Sequence, residues 1–438
     1  MYVISGRAPE HNYPCRLKCL AKFPSLLLML AVSPIALANS DTSIPLSIAE
    51  AETIALQAEP GYLALQAEAE AFGERAVAAG QLPDPALRIG VANYPIEDGG
   101  FSTEGMTQAQ FGFRQHFPRK VVRQSRTDRY EHLSAGRAAG AQARYRDVLA
   151  ATREAWLDNY YWHRSIALLE LSRPFFEDLL ATTRSHYALG RKSQFDVLQA
   201  ELELQRLDDR LIEAGRVRRA AQASLSQWLG DAAYRPIPNV LADWPIVPPV
   251  EELRSRLQEH PALQAADARI AAQQSAVDLA DAGKKPEWTL DVGYGYREGS
   301  LPSGEPRSDF VSLSVTVGLP MFSENRQDRE LAAALADRSA ARSSRQRLLA
   351  ELNSALLSEH ARWTEHTRRM TLYESQILRT SAASADAALL AYRNDAADVA
   401  DVLRGSLENL EAQLDYVRLR VERAKSFVAL ANLGGLSR

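Results

Sequence analysis

Two periodicities divide this chain. Trp288, Leu290, Val292, Tyr294 and Tyr296 alternate with Thr289, Asp291, Gly293, Gly295 and Arg297, and Val311, Leu313, Val315 and Val317 alternate with small or polar residues. A sustained period of two predicts a pair of strands. A noisier pair comes earlier: Leu87, Ile89 and Val91 form one run, and Phe111, Phe113 and Phe117 the other, with Arg114 and His116 on the opposite face. Prolines 83, 85 and 286 precede these pairs, prolines 118 and 320 follow them, and Gly- and Pro-containing loops separate the two runs of each pair. Ten-residue alternation of apolar with small polar residues suits a tilted outer-membrane strand. It also suits a half-buried hairpin of a soluble sheet.

Everything else reads as helix. Residues 119–187 and 323–391 contain no strand signal and, apart from Pro174, no breaker. At 1.5 Å per residue each would reach about 100 Å, more than one globular core can bury, so they must pack on other long helices. The helices that return from them carry the seam. Leu403, Leu407, Leu410, Leu414, Val417, Val421, Ala424 and Val428 step by 4 and 3, as do Val197, Ala200, Leu204, Leu207, Leu211 and Ala214, which is coiled-coil spacing. The first return helix ends near Gly230, before a Pro-rich linker at 236–250, and a helix from Glu251 to Gly283 is expected to climb the remaining height above it. A helix from Ser47 to Gly80 is expected to complete the second return in the same way.

The chain repeats itself. At an offset of 205, Tyr187 matches Tyr392, Asp196-Val-Leu198 matches Asp401-Val-Leu403, and Gly230 matches Gly435; near 203, Leu87 to Gly90 answers Leu290 to Gly293. The domain division is therefore 1–38 (export segment), 39–235 (first repeat), 236–250 (linker) and 251–438 (second repeat). The Gly190-Arg-Lys-Ser193 stretch superficially resembles a phosphate loop. It lacks a preceding strand, position 185 is Ser rather than Gly, and Arg191 separates Gly from Lys-Ser. It reads instead as a turn between helices, where Gly190 can take a positive φ. Asp395 stands at the matching place in the second copy, which leaves the shape of that turn open.

The N-terminus reads as an export signal. Arg16, Lys18 and Lys22 precede an apolar run at 26–32, and Ala36 and Ala38 suit cleavage after Ala38. Loss of residues 1–38 removes four basic side chains and Glu10, shifting the net charge from −4 to −7, which disfavours nucleic acid as a partner. Cys15 and Cys19 leave with that segment, so the mature chain has no cysteine chemistry. No later segment is apolar enough for a membrane helix, so any membrane contact must come from strands.

These features together resemble the TolC family of outer-membrane efflux channels over about residues 45–436. The resemblance implies a mainly α subunit with a small β part. Three such subunits would each lend four strands to a shared twelve-stranded barrel that continues into a periplasmic helical barrel. The lipid-facing residues would be Leu87, Ile89, Val91, Phe111, Phe113, Trp288, Leu290, Val292, Tyr294, Tyr296, Val311, Leu313, Val315 and Val317. It also implies a homotrimer in the outer membrane of a Gram-negative bacterium that works with a periplasmic adaptor and an inner-membrane proton-driven pump. Tyr187, Gly190, Val197, Leu198, Asp395, Val402 and Leu403 would form the adaptor-docking tips; for Val197, Leu198, Val402 and Leu403, packing against neighbouring helices is an equal alternative. Asp401, with Asp398, Arg404 and Tyr392, would form a periplasmic gate, although Arg404 replaces an acid of the family pattern and can neutralise the ring. Residues 79–87, Asn93-Tyr-Pro95, Met106-Thr107 and Gln115 to Pro118 resemble the heavy-metal branch.

No chemistry of its own is expected of the chain. Its mature histidines show no i,i+4 pair, and Gly293 to Gly299 has the wrong glycine spacing for a dinucleotide loop. No enzyme activity, cofactor or resident metal is expected, and a passive exit duct, for heavy-metal cations or alternatively for drugs or a secreted protein, needs none. A soluble periplasmic coiled-coil scaffold is the alternative of another class.

Overall fold

The computed structural model describes residues 44–57 and 59–436. The export segment, its cleavage point and both cysteines lie outside the described residues. In chain order the elements are α1 (Ile48–Gln57), α2 (Pro60–Gly80), β1 (Ala86–Ala92), β2 (Gln108–Phe117), α3 (Lys120–Ala188), α4 (Gln194–Leu229), α5 (Val250–Leu257), α6 (Pro261–Ala282), β3 (Glu287–Tyr296), β4 (Phe310–Gly318), α7 (Gln327–Leu372), α8 (Leu378–Arg393) and α9 (Val399–Gly434). The subunit is mainly helical with one small antiparallel sheet in the order β1-β2-β3-β4. Among the described residues, no helix is long and apolar enough to cross a membrane.

The predicted strands and long helices are present, with three differences. Each helix that climbs toward a strand is interrupted once, before Pro60 and before Pro261. Proline has no N–H and drives its predecessor out of the helical region: Glu59 sits at ψ 112° and His260 at ψ 131°. Both residues cap the helix that follows. The Glu59 carboxylate accepts from the Tyr62 N–H, and His260 Nδ1 accepts from the Ala262 N–H at 3.2 Å. The second descending helix is broken too, by a π turn at Tyr373–Ile377 between α7 and α8.

The third difference is the stacking. The structure sets α1 beside the end of α4, where Arg235 bonds Glu50 (2.7 Å) and the Leu46 N–H donates to the Pro236 carbonyl (2.7 Å). It sets α5 beside the end of α9, where Leu253 leaves no room for a Cβ on Gly434. The first return helix is therefore completed by α1 and α2, and the second by α5 and α6, the reverse of the expected arrangement. The linker makes this possible by crossing over α9: Trp244 packs on Phe427 and Arg420 donates to the Leu241 carbonyl.

Helix neighbours then follow strand neighbours. Beneath β1-β2-β3-β4 lie α2, α3, α6 and α7 side by side, and farther down α4, α3, α9 and α7. Small residues let the upper helices approach, as where Gly136 faces Ala268. Two cores hold the rest. One, around Trp156, Leu225, Leu253 and Phe427, joins the linker to the helix ends. The other, around Phe176, Leu207, Val402 and Leu410, fills the lower hairpins. Full burial of side chains such as Phe176 and Phe427 stabilises by about 2–3 kcal/mol each.

His260 makes the junction at Pro261 sensitive to acid. Burial first, then the nearby Arg146, holds its pKa below the usual value, with Asp147 opposing. The neutral imidazole is the form that caps α6. This stabilisation is complete above the unfolded value near 6.5 and is lost as pH falls through the depressed folded value. His260→Asn retains a cap acceptor and does not titrate. It is expected to flatten the acid limb of the thermal midpoint against pH, with a cap contribution of about 1 kcal/mol.

Candidate functional site

The sheet has two chemically distinct faces, fixed by register. Leu87, Phe113, Val292 and Leu313 stand directly opposite one another across the four strands, as do Ile89, Phe111, Tyr294 and Val311. All fourteen residues predicted to face lipid share this face, and all are exposed except Leu290, which is half-buried. Trp288 stacks on Phe117 at its helix-proximal end. So continuous an exposed apolar surface marks an interaction face rather than a wetted one.

The other face is polar. Arg114 Nε meets Asp291 Oδ1 at 2.5 Å, and His116 lies 3.0 Å from Thr289 Oγ1 and 3.4 Å from Glu287 Oε2. Glycine keeps it traversable by side chains: Gln108 lies across Gly295, where any Cβ would collide with its amide. Among the described residues, the edge strands β1 and β4 have no further strand partner.

The motif that resembles the heavy-metal branch turns out to fasten this sheet. Asn93 adopts φ 54° and donates to the Met106 carbonyl (3.2 Å), the Thr107 hydroxyl donates to the Asn93 carbonyl (2.8 Å), and Gln115 donates to the Pro83 carbonyl (2.9 Å). Arg307 Nη1 joins the two loops by donating to the carbonyls of Ser102, Glu104 and Glu298. Among the described residues, no group of three or more His, Cys, Asp or Glu is placed to hold a metal ion.

At the far end, the two turns between helices are alike. Gly190 has φ 73° and Asp395 φ 56°, so the aspartate adopts the left-handed geometry of the glycine and the second turn keeps the shape of the first. Backbone bonds repeat as well: Gly190 N–H to Tyr187 O and Arg191 N–H to His186 O correspond to Asp395 N–H to Tyr392 O and Ala396 N–H to Ala391 O. Each following helix opens with a capping box, Ser193 with Asp196 and Asp398 with Asp401.

The side chains around the turns differ. Tyr187 and Leu198 are exposed, as are Leu189, Phe195 and Leu202, which the sequence reading passed over. Val197 packs partly against the lower core. Val402 and Leu403 are 0% and 2% exposed within that core. Both are buried residues at the start of α9, so the docking expectation gives way to packing for these two. For Leu403 that burial was already implied by the heptad run; Val402 lies outside the run.

The candidate gate residues form one cross-hairpin cluster. Asp401 accepts from the Asp398 N–H (3.3 Å) and faces Arg404 at 3.8 Å. Asp398 is reached by Lys192 Nζ of the first hairpin at 3.3 Å, and the same ammonium lies 5.1 Å from the ring centre of Tyr392. Tyr392 is buried beside His186. Lys192 is the residue that sequence reasoning missed, because nothing in the local pattern announces a contact across 206 positions.

Comparison with known proteins agrees with this geometry. Residues 253–436 match the family described as Outer membrane efflux protein. Over 201 residues the chain is 32% identical to Protein CyaE of Bordetella pertussis, a match that takes in 43% of this chain and 40% of that protein; the chain thus spans well under two thirds of this curated relative. The outer membrane protein VceC of Vibrio cholerae superposes with a TM-score of 0.75 at 18% identity, covering 88% of this chain and 96% of that one. A membrane protein from Pseudomonas aeruginosa gives 0.74 at 18%, covering 88% and 93%, and CusC gives 0.74 at 12%, covering 90% and 93%. The fold is that of TolC-like channel subunits.

Proposed function

We propose that the chain is the outer-membrane exit duct of a tripartite efflux system, a homotrimer that passively conducts substrates delivered by an inner-membrane pump through a periplasmic adaptor. The protein sits in the outer membrane with a large helical part in the periplasm, in keeping with its efflux-family match and its fold. The observation that carries the reading is the exposed apolar sheet face bounded by two open edges. In hydrocarbon every backbone group must be bonded, so four strands alone are not viable. Three copies give twelve strands, an even number that closes a bacterial barrel. A soluble scaffold would leave that face wet. The conduit needs no catalytic residue, and none is assigned.

The docking tip is proposed as the exposed Tyr187, Leu189, Phe195 and Leu198 of the first hairpin, shaped by the left-handed Gly190; Asp395 shapes the second turn. Asp398, Asp401, Arg404 and Tyr392 are proposed as the gate. Heavy-metal cations are the proposed cargo, on motif resemblance; drugs or a secreted protein are the alternatives. Deletion of the gene followed by growth on graded metals and drugs is expected to lower tolerance to metals selectively. Loss of drug tolerance alone would reassign the cargo, and recovery of the protein as a soluble periplasmic monomer would overturn the channel itself.

A further inference from the structure

The two halves hold their descending helices in different ways. From residue 152 to 183, α3 buries Trp156, Leu157, Tyr160, Leu169, Phe176 and Leu180. The corresponding stretch of the second half, residues 357–391, buries none of its residues, although it continues for more than eight turns. Its apolar anchors, Leu356 above and Tyr392 below, belong to separate cores.

Polar bonds to α9 tie down the span between these anchors. Arg423 donates to Thr367 (2.9 Å), and Ser381 donates to Asn409 (3.2 Å). Between these two lies a reciprocal pair: the Tyr373 hydroxyl donates to Asp415 (3.3 Å) and the Tyr416 hydroxyl donates to Glu374 (2.6 Å). Tyr373 and Glu374 are the first two residues of the π turn. A π turn carries one residue more per turn than the helix around it and is a natural point of bending. The first half has its own irregularity at the matching level, Pro174, but there Arg173 is clamped to Asp208 and Glu177 and the helix is anchored by Phe176.

We infer that the reciprocal tyrosine–carboxylate pair is a latch on the π turn, and that opening it lets residues 373–391 move off α9 while the first hairpin stays in place. The two hydroxyls hold the upper end of a segment in which no side chain is fully buried, and whose apolar contacts, Ala385 and Ala388 against Gly405 and Leu389 against the lower core, lie farther down. Burial first, and then the bond to Glu374, pushes the Tyr416 phenol up to about 12, so that latch bond persists across ordinary pH. Any effect on the width of the conduit rests on the channel reading above. The local motion does not.

The test is hydrogen exchange of the full-length protein in detergent, comparing the natural chain with Tyr373→Phe combined with Tyr416→Phe, which keeps both rings. Exchange across 373–391 is expected to rise roughly tenfold while 152–183 is unchanged. Unchanged exchange in the double phenylalanine variant, or a rise shared equally by 152–183, would overturn the latch. Single-channel recording of the same proteins separates the two questions. A latch effect on exchange without currents from any protein would refute the channel reading alone.

Discussion

Arginine in place of Leu313 or Val315 is expected to eliminate the protein from the outer-membrane fraction. Both residues lie near the middle of β4, on the apolar face and exposed at 71% and 58%. A cation at mid-depth on a lipid-facing strand costs roughly 2–4 kcal/mol. In a closed ring the cost recurs in every copy, so one substitution would weaken a trimer by about three times as much. Against a net stability of about 5–15 kcal/mol, that is enough to prevent assembly. Thr316→Arg is the control. It adds the same charge to the same strand, but position 316 pairs with Thr289, itself opposite His116, on the polar face, where water is available, and it is expected to assemble. Fractionation after detergent extraction decides the matter. Normal membrane recovery of Leu313→Arg, or equal loss of all three variants, would mean that these faces have no preferred contact with lipid.

The contrast between those variants depends on a feature legible in the sequence. A period of two puts the same residues on the same face whatever the sheet is packed against, and register then aligns Leu87, Phe113, Val292 and Leu313. Long helices without breakers, seams stepping by 4 and 3, and duplicated turns were legible for the same reason: each is set by local geometry. Pro60 and Pro261 carried a signal for their interruptions too, since a proline inside a helical run breaks it, but the helices expected over 47–80 and 251–283 ran straight through them.

Long-range arrangements were not legible. Which return helix stacks on which climbing helix depends on where the linker crosses, and the contacts that fix the crossing, Trp244 on Phe427 and Arg420 on Leu241, join residues far apart in sequence. The π turn has no Gly or Pro to signal it. Leu403 belonged to two patterns at once, the heptad seam and the tip motif, and burial favoured the seam because an apolar side chain at such a position gains more from a core than from an exposed turn; Val402, read only as a tip residue, is buried beside it. Asp395 could take the place of Gly190 because short polar side chains tolerate the left-handed region at modest cost.

Lys192→Glu is expected to produce the largest change at the tip, loosening the contact between the two hairpins. The Lys192 side chain is only 12% exposed, whereas that of its partner Asp398 is 78% exposed. Removal of the acid therefore leaves a cation that solvent and the Tyr392 ring can still accommodate, and Asp398→Ala should cost about 0–1 kcal/mol for the exposed pair besides about 1 kcal/mol for the lost N-cap of α9. Reversing the lysine is different. It places a carboxylate next to Asp398 and against the negative face of the Tyr392 ring, replacing two attractions by two repulsions in the less solvated position. A shift of about 1.5–3 kcal/mol between closed and open tips corresponds to a population change of roughly ten- to a hundredfold. In reconstituted trimers this should appear as a larger or more frequently open conductance, with stability in detergent little changed. Lys192→Glu combined with Asp398→Lys restores one attraction and should recover most of the natural behaviour. Currents indistinguishable among all four proteins would show that the cluster caps helices without governing the mouth. A conductance change in Lys192→Glu that the compensating lysine fails to reduce would locate the effect in the lost contact with Tyr392 rather than in the ion pair.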